Sequence, residues 1–175
     1  MKYLLLILLA CCFTFSMTAA PVQAFQGMDM ESLKVMAEKG DPEAQTQMGV
    51  AYMRGTGVEK DAKKGVEWYR KAADQGYANA QWNLAFAYVR GAGVAGDYKE
   101  AARWFKLAAE QEYPPAEYDL GMMYLQGLGV KRSRTIALDW ITKAADHGYK
   151  EADAFLNSRG VVRKSEQEQE EKKAE

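Results

Sequence analysis

Cysteine and histidine are scarce in this 175-residue sequence, and their scarcity excludes several kinds of site. The two cysteines, Cys11 and Cys12, are adjacent near the start, and His147 is the single histidine. Without further cysteines the chain has no disulfide framework, no thiol nucleophile and no thiolate ligands for a metal. We therefore expect a domain that folds by packing alone and needs no cofactor or metal.

An excess of charge of either sign is also absent. The sequence has 23 Lys and Arg against 24 Asp and Glu, which gives a formal net charge of −1. Such a balance produces no general electrostatic attraction to nucleic acid or to an anionic membrane. We therefore expect no nucleic-acid partner.

Long apolar runs are limited to residues 3–15, YLLLILLACCFTF. This run is shorter than the roughly 20 residues that a membrane-spanning helix needs. Lys2 precedes it, and Val22 and Ala24 place small residues at the −3 and −1 positions of a signal-peptidase site. We therefore predict a signal peptide over 1–24 that is cleaved after Ala24, a periplasmic or secreted mature chain, and no transmembrane span in it.

An alternative concerns the cysteine at the end of Leu8-Leu9-Ala10-Cys11. This string resembles a bacterial lipobox, in which Cys11 would carry a lipid and anchor the mature chain to a membrane. In either case the mature chain is long enough for one domain.

A repeat of 36 residues occupies most of the remaining sequence. Its copies start at Ala44, Ala80 and Ala116. Tyrosines, glycines and tryptophans recur at the same spacing, at Tyr52, Tyr88 and Tyr124, at Gly55, Gly91 and Gly127, and at Trp68, Trp104 and Trp140. A fixed period of this length is typical of a repeat solenoid, in which each copy packs against its neighbours.

Each copy has the start and stop signals of two helices. Asp41 and Pro42 suit the start of the first helix, and Gly55 suits its end. Asp61 suits the cap of the second helix, with Asp97 and Ser133 at the same place in the other copies. We also expect the small residues at Gly49, Ala85 and Gly121 to allow close approach between helices, because glycine inside a helix otherwise costs about 1 kcal/mol.

The predicted layout is an all-α solenoid of three helical hairpins with a capping element at each end. The hairpins cover 44–79, 80–115 and 116–151, an N-terminal capping helix lies within 25–43, and a C-terminal capping helix continues to 159. Residues 160–175 form a charged tail in this prediction.

The repeated strings resemble the Sel-one-like repeat, a subclass of the tetratricopeptide-like helical repeats. They are AQTQMGVAYMRGTGVEKDAKKGVEWYRKAADQGY, AQWNLAFAYVRGAGVAGDYKEAARWFKLAAEQEY and AEYDLGMMYLQGLGVKRSRTIALDWITKAADHGY. Three departures are local: Ala85 and Glu112 replace glycines, and Ser133 replaces an aspartate. The resemblance implies a right-handed superhelix of antiparallel helix pairs with a concave face.

The resemblance also implies a function. Members of this family act as adaptors and scaffolds for proteins or peptides, and they share no set of catalytic residues. Some secreted members are rich in cysteine, with a disulfide in each repeat, and some of these are linked to β-lactam binding or hydrolysis. This chain lacks those cysteines, which argues against carrying that activity over.

Residues that differ between copies are the candidate contacts for a partner. On the side of the first helices away from the predicted core, they form columns expected to line the concave groove. These positions are Gln47, Asn83 and Asp119; Val50, Phe86 and Met122; Arg54, Arg90 and Gln126; and, beside them, Trp82 and Tyr118. Exposed aromatic and methionine side chains often mark binding surfaces. The alternative is that Trp82, Phe86 and Met122 pack between neighbouring repeats.

Other polar residues give little support for catalysis. His147 and Glu151 are four residues apart, but Gly148 is expected to break the helix between them, so we expect a solvated histidine near a helix end. The Gly55-Thr56-Gly57 loop lacks the lysine and hydroxyl residue of a phosphate loop. The sequence thus predicts a monomeric, non-enzymatic adaptor that binds a protein or peptide. The alternative is a hydrolase or ligand-binding protein directed at cell-wall material or β-lactams.

Overall fold

The computed structural model describes residues 29–161, and within them all regular structure is α-helical. The signal peptide predicted over 1–24, the alternative lipidation site at Cys11, residues 25–28 of the predicted capping region and the predicted tail beyond Val161 lie outside the described residues. Eight helices follow one another in this range, α1 Met30–Glu38, α2 Pro42–Arg54, α3 Ala62–Asp74, α4 Ala78–Arg90, α5 Tyr98–Ala109, α6 Pro114–Gln126, α7 Arg134–Asp146 and α8 Lys150–Ser158.

Three helical hairpins form the body of this α-solenoid. Helices α2 and α3, α4 and α5, and α6 and α7 pack in pairs, and each pair also contacts the next along the chain. Helix α1 packs on α2 at one end, and α8 packs on α7 at the other. The terminal helices thus cover the first and last hairpins of the array.

Capping side chains mark the starts of α1, α2, α3, α5 and α7, whereas α4, α6 and α8 begin without one. Asp41 accepts a hydrogen bond from the Ala44 amide at 2.7 Å, and Pro42 occupies the first turn of α2. Asp61 accepts from two amides at the start of α3, and Asp97 does the same for α5. Each of these bonds satisfies a backbone donor that the helix leaves free, so the predicted caps are confirmed.

Small residues allow the two helices of a hairpin to approach closely. In the first hairpin, a Cβ added at Gly49 would lie 3.1 Å from the Gly65 carbonyl oxygen and would overlap the Tyr69 ring. In the third, a Cβ at Gly121 would lie 2.9 Å from the Ala137 carbonyl oxygen. The close approach predicted from these positions is confirmed.

The core is built from the repeated columns. The Ala44, Ala80 and Ala116 column is fully buried, as are the alanine pairs late in α3, α5 and α7. Phe105, Met48, Leu84, Leu120 and Ile141 are the largest apolar side chains that are fully buried within the hairpins. Positions that repeat most strictly in the sequence therefore hold the helices together.

Candidate partner-binding face

The first helices of successive hairpins lie next to one another and form one surface. Helix α2 contacts α4 directly, and a hydrogen bond joins α4 to α6. Each first helix ends at a glycine with a left-handed backbone, so the last residues, Arg54, Arg90 and Gln126, take equivalent places. We call this surface the first-helix face, and it carries Gln47, Val50, Arg54, Trp82, Asn83, Phe86, Arg90, Tyr118, Asp119, Met122 and Gln126.

Four of the predicted contact residues line one cavity between the first two hairpins. It has a volume of about 250 Å³, and Arg54, Asn83, Phe86 and Arg90 contribute to its wall. Tyr69 contributes from the second helix of the first hairpin. We call it the two-arginine cavity, because guanidinium groups from two helices border it.

A second cavity adjoins the first at Arg54. Its volume is about 290 Å³, and Gln47 and Val50 of α2 line it together with Met30 and Leu33 of the capping helix α1. Its wall combines four apolar residues, Met30, Leu33, Val50 and Ala51, with three polar ones, Gln47, Arg54 and Thr56. We call it the apolar cavity, after the side chains from α1. The sequence did not point to Met30 or Leu33, because their position depends on how α1 docks against α2.

Neither arginine has an acidic partner on this face. No carboxylate among residues 29–161 forms a salt bridge with Arg54 or Arg90. The Arg90 guanidinium lies 5.4 Å from the centre of the Phe86 ring, which places a positive charge over an aromatic face. Burial raises the pKa of the Tyr69 phenol to about 12, although the Arg54 charge acts in the opposite direction.

Asp119 lies at the junction of the second and third hairpins. One of its carboxylate oxygens accepts a hydrogen bond from the Trp82 indole N–H at 2.8 Å, across the two helices. Burial raises the pKa of Asp119 to about 6, despite the opposing effect of that hydrogen bond. The negative charge in turn raises the pKa of Tyr113, after the larger effect of burial. Asp119 therefore fixes the contact between α4 and α6 and changes charge within a mildly acidic range.

Trp82 and Phe86 are only partly buried, and they pack between repeats as well as facing the surface. Their rings meet edge to face with centroids 4.8 Å apart, and Phe86 makes a similar contact with Phe105 at 5.2 Å. Trp82 also packs on Tyr113. The alternative that Trp82 and Phe86 pack between neighbouring repeats therefore agrees with these contacts. Phe86 also lines the two-arginine cavity.

The remaining predicted residues lie towards the end of the array. Tyr118 stacks at an angle on Tyr149, with ring centroids 5.5 Å apart, and Met122 packs against the same cluster. Gln126 is exposed at the last residue of α6. The structure therefore brings six candidates of α2 and α4 together around two cavities. Tyr118 and Met122 of α6 lie in a separate aromatic cluster, and Asp119 contacts Trp82.

One set of contacts between the two helices of each hairpin was not foreseen. Gln75 donates a side-chain hydrogen bond to Gln45 at 2.7 Å, and Gln111 donates to Gln81 at 2.8 Å. Gln45 and Gln81 in turn donate to the carbonyls of Ala37 and Ala73. We call each such pair a clasp, since it ties the end of a second helix to the preceding first helix.

In the third hairpin the clasp has different chemistry. His147 Nδ1 lies 2.8 Å from a carboxylate oxygen of Glu117, which is 1% exposed, whereas the histidine side chain is 36% exposed. The hydrogen bond with Glu117 raises the pKa of His147. His147 is exposed at the end of α7, as predicted, but it also contacts a buried carboxylate, which the sequence did not indicate.

Comparison with known proteins agrees with this architecture. The family model of the Sel1 repeat matches residues 42–77, 78–113 and 114–149, which is more than half of the chain. The chain belongs to the Sel1-repeat family. The matched segments follow the three hairpins and begin two residues before the starting points of the predicted repeats, at or next to the first residues of α2, α4 and α6.

Two solved structures resemble this Sel1-repeat protein in both sequence and fold. A Sel1 repeat protein from Oxalobacter formigenes is 37% identical with a TM-score of 0.64, over 69% of this chain and 50% of the other. A protective antigen of uropathogenic Escherichia coli with the same repeat fold is 36% identical with a TM-score of 0.70, over 75% of this chain and 29% of the other.

A third solved structure supports the fold, and one curated protein is similar over a short segment. Helicobacter pylori cysteine rich protein B is 20% identical with a TM-score of 0.59, over 74% of this chain and 98% of that protein, and supports the fold alone. The secretory immunoglobulin A-binding protein EsiB of Escherichia coli is 35% identical over 58 residues, which are 33% of this chain and 11% of EsiB. The Sel1-repeat protein thus spans only a small part of that relative.

The described residues offer little for metal chemistry. Between Asp29 and Val161, no three histidine, cysteine, aspartate or glutamate side chains are grouped so that they could hold a metal ion. In the same range, no helix has the length and apolar character needed to cross a membrane. Sel1-repeat proteins are mostly helical scaffolds for protein interaction.

Proposed function

We propose that this Sel1-repeat protein is a non-enzymatic, monomeric adaptor that binds a protein or peptide through the first-helix face, which we take to be the concave side of the solenoid. One observation carries the proposal. The residues that repeat strictly build the core, whereas residues that vary between copies line two adjoining cavities on one face. Variation on a repeated scaffold is how solenoids acquire specific binding surfaces.

The proposal also includes a cellular location. The apolar run before Ala24 and the small residues at the cleavage position support a periplasmic or secreted protein. Lipid attachment at Cys11 would place the same adaptor on a membrane surface instead. Mass spectrometry of the N-terminus separates the two, since cleavage after Ala24 leaves Phe25 first and lipidation leaves a modified Cys11.

Affinity purification with matched variants tests the binding face. One variant changes a column of the first helices, Gln47→Ala/Asn83→Ala/Asp119→Asn, and its control changes a column of the second helices, Glu67→Ala/Arg103→Ala/Asp139→Ala. Each set has one change per hairpin, and the control residues are all exposed. Asparagine at position 119 keeps an oxygen that can accept from Trp82, so the fold is retained.

We expect proteins recovered with the wild type to be recovered equally with the second-helix control and to be lost with the first-helix variant. Circular dichroism would establish that both variants are as helical as the wild type. Equal recovery by all three proteins would contradict the assignment of the binding face.

A further inference from the structure

The two-arginine cavity has a charge that nothing in the described chain neutralises. Arg54 and Arg90 come from different helices and border the same cavity, yet neither forms a salt bridge within residues 29–161. A single arginine in the last turn of a helix is ordinary, because it interacts favourably with the helix dipole. Two of them around one cavity, with an amide at Asn83 and an aromatic ring at Phe86, create a site suited to a carboxylate.

The chemistry of guanidinium groups favours this kind of ligand. Arginine presents planar, paired donors that match the two oxygens of a carboxylate, and such charge-assisted hydrogen bonds are stronger than neutral ones. The Asn83 side-chain amide donates hydrogen bonds to the backbone carbonyl and to the side-chain oxygen of Asn79. The side-chain oxygen of Asn83 therefore remains available as an acceptor for a peptide N–H. The cavity can therefore hold both an acidic side chain and the backbone that carries it.

The neighbouring apolar cavity sets a second requirement for the side chains of a partner. Arg54 borders both cavities, and Met30, Leu33 and Val50 give the second one an apolar wall that suits an aliphatic side chain. At about 250 and 290 Å³ the two cavities are smaller than the roughly 300–1,000 Å³ typical of small-molecule sites. Their size and adjacency suit successive side chains of an extended segment.

We infer that the partner presents an extended acidic segment, with a carboxylate side chain between Arg54 and Arg90 and an aliphatic side chain in the apolar cavity. In an extended chain, alternate side chains lie on one side at a separation of roughly 7 Å, which lets residues two apart enter adjoining cavities. This inference rests on the proposed function and specifies the chemistry of the partner.

Binding of defined peptides tests the inference by fluorescence anisotropy. The probe is a fluorescein-labelled nine-residue peptide, ESESLSESE, which has the same order of side chains in either direction. Two matched peptides replace every glutamate by glutamine or the central leucine by serine. The protein variants are Arg54→Gln/Arg90→Gln and, as a control with the same charge change, Arg132→Gln/Arg134→Gln. Glutamine is the natural residue at the equivalent position 126.

We expect the wild type to bind the glutamate peptide several-fold more tightly than the glutamine peptide, since two charge-assisted contacts with exposed arginines add a modest preference. The preference should persist in the control variant and vanish in Arg54→Gln/Arg90→Gln. The serine peptide should bind several-fold more weakly to wild type and both variants alike. Higher salt should weaken binding of the glutamate peptide more than binding of the glutamine peptide.

Three results would overturn the inference. One is equal binding of the glutamate and glutamine peptides, or no binding of either. Another is a preference for glutamate that survives in Arg54→Gln/Arg90→Gln. The third is a several-fold rise in affinity when Glu166, Glu168, Glu170 and Glu171 are changed to glutamine in the full chain, which would assign the cavities to the protein's own acidic segment. If partner recovery still depends on the Gln47, Asn83 and Asp119 column, the proposed function stands even though the acidic segment is wrong.

Discussion

Among single side chains, Asp119 makes the clearest prediction about pH. Its pKa is about 6 in the fold and 3.8 as the ordinary value, so folding favours the protonated form. Ionisation of this buried carboxyl therefore costs no folding free energy below pH 4. The cost grows as the pH rises towards 6 and is fully present above pH 6. Asp119→Asn should therefore stabilise the protein at pH 7.5 by about 1–3 kcal/mol, and by much less at pH 4.

Urea unfolding at the two pH values measures this difference. Asp139→Asn is the matched control, because Asp139 is an exposed aspartate on a second helix and should change the free energy of unfolding little at either pH. If Asp119→Asn shifted stability equally at pH 4 and pH 7.5, burial of the carboxyl would not be the cause of its raised pKa.

The clasp of the third hairpin predicts a different pH dependence. The raised pKa of His147 means that its stabilising contact with Glu117 is fully present below pH 6.5 and is lost as pH rises through the folded value. A double-mutant cycle with Glu117→Gln, His147→Gln and both together measures the coupling. We expect about 1 kcal/mol of extra coupling at pH 6 compared with pH 8.5.

The same cycle at Gln81 and Gln111, with alanine at each position, provides the control. That pair does not titrate, so its coupling should be the same at pH 6 and pH 8.5. A pH-independent coupling between Glu117 and His147 would mean that the ion pair contributes nothing beyond an ordinary hydrogen bond.

The clasp also marks where sequence reasoning fell short at the residue level. The two partners of each clasp are 30 residues apart, near the start of the first helix and the end of the second, and their contact depends on how the two helices of one hairpin pack. A signal was nevertheless present. The copy in which glutamine becomes Glu117 is also the copy in which the second glutamine becomes His147, and such paired changes indicate contact.

For whole helices the sequence was far more informative. Helix starts depend on local chemistry, so Asp41, Asp61 and Asp97 could be recognised as caps without tertiary information. Helix ends at Gly55, Gly91 and Gly127 follow from the same kind of local rule. The docking of α1 on α2, which forms the apolar cavity, is a long-range property and could not be predicted to the level of its lining residues.

The end of α5 provides a prediction about helix termination. Glu112 has a φ of +57°, and it is the non-glycine residue that adopts a left-handed backbone among the described residues. The first and third hairpins place Gly76 and Gly148 there. A left-handed backbone costs a residue with a Cβ roughly 1–2 kcal/mol. Glycine avoids this cost but loses about 0.5–1 kcal/mol because it has more conformational entropy in the unfolded chain. Glu112→Gly should therefore raise the free energy of unfolding by about 0.5–1 kcal/mol.

Gly76→Ala is the reverse experiment. A Cβ at Gly76 would have no atom within 4 Å, so the substitution should destabilise through the backbone alone. Thermal and urea unfolding of both variants at pH 7.5 checks the pair. A destabilised Glu112→Gly would show that the Glu112 side chain makes a contribution that outweighs its backbone strain.

For the molecule as a whole, the repeat period explains the fold and its variable columns indicate the binding face. The period could be read directly from the sequence, because every copy must present the same core residues to its neighbours. The identity of a partner could not, since the cavities arise between helices and combine residues from α1, α2 and α4. The Sel1-repeat family establishes the scaffold.

Site-specific photo-crosslinking in cells tests that central claim most directly. A benzophenone amino acid would replace Gln47 or Gln126 on the first-helix face, and Glu67 or Asp139 on the second helices would serve as matched positions. The account predicts that irradiation captures the same partner protein from both first-helix positions and from neither second-helix position. Capture from Glu67 or Asp139, with none from Gln47 and Gln126, would contradict it.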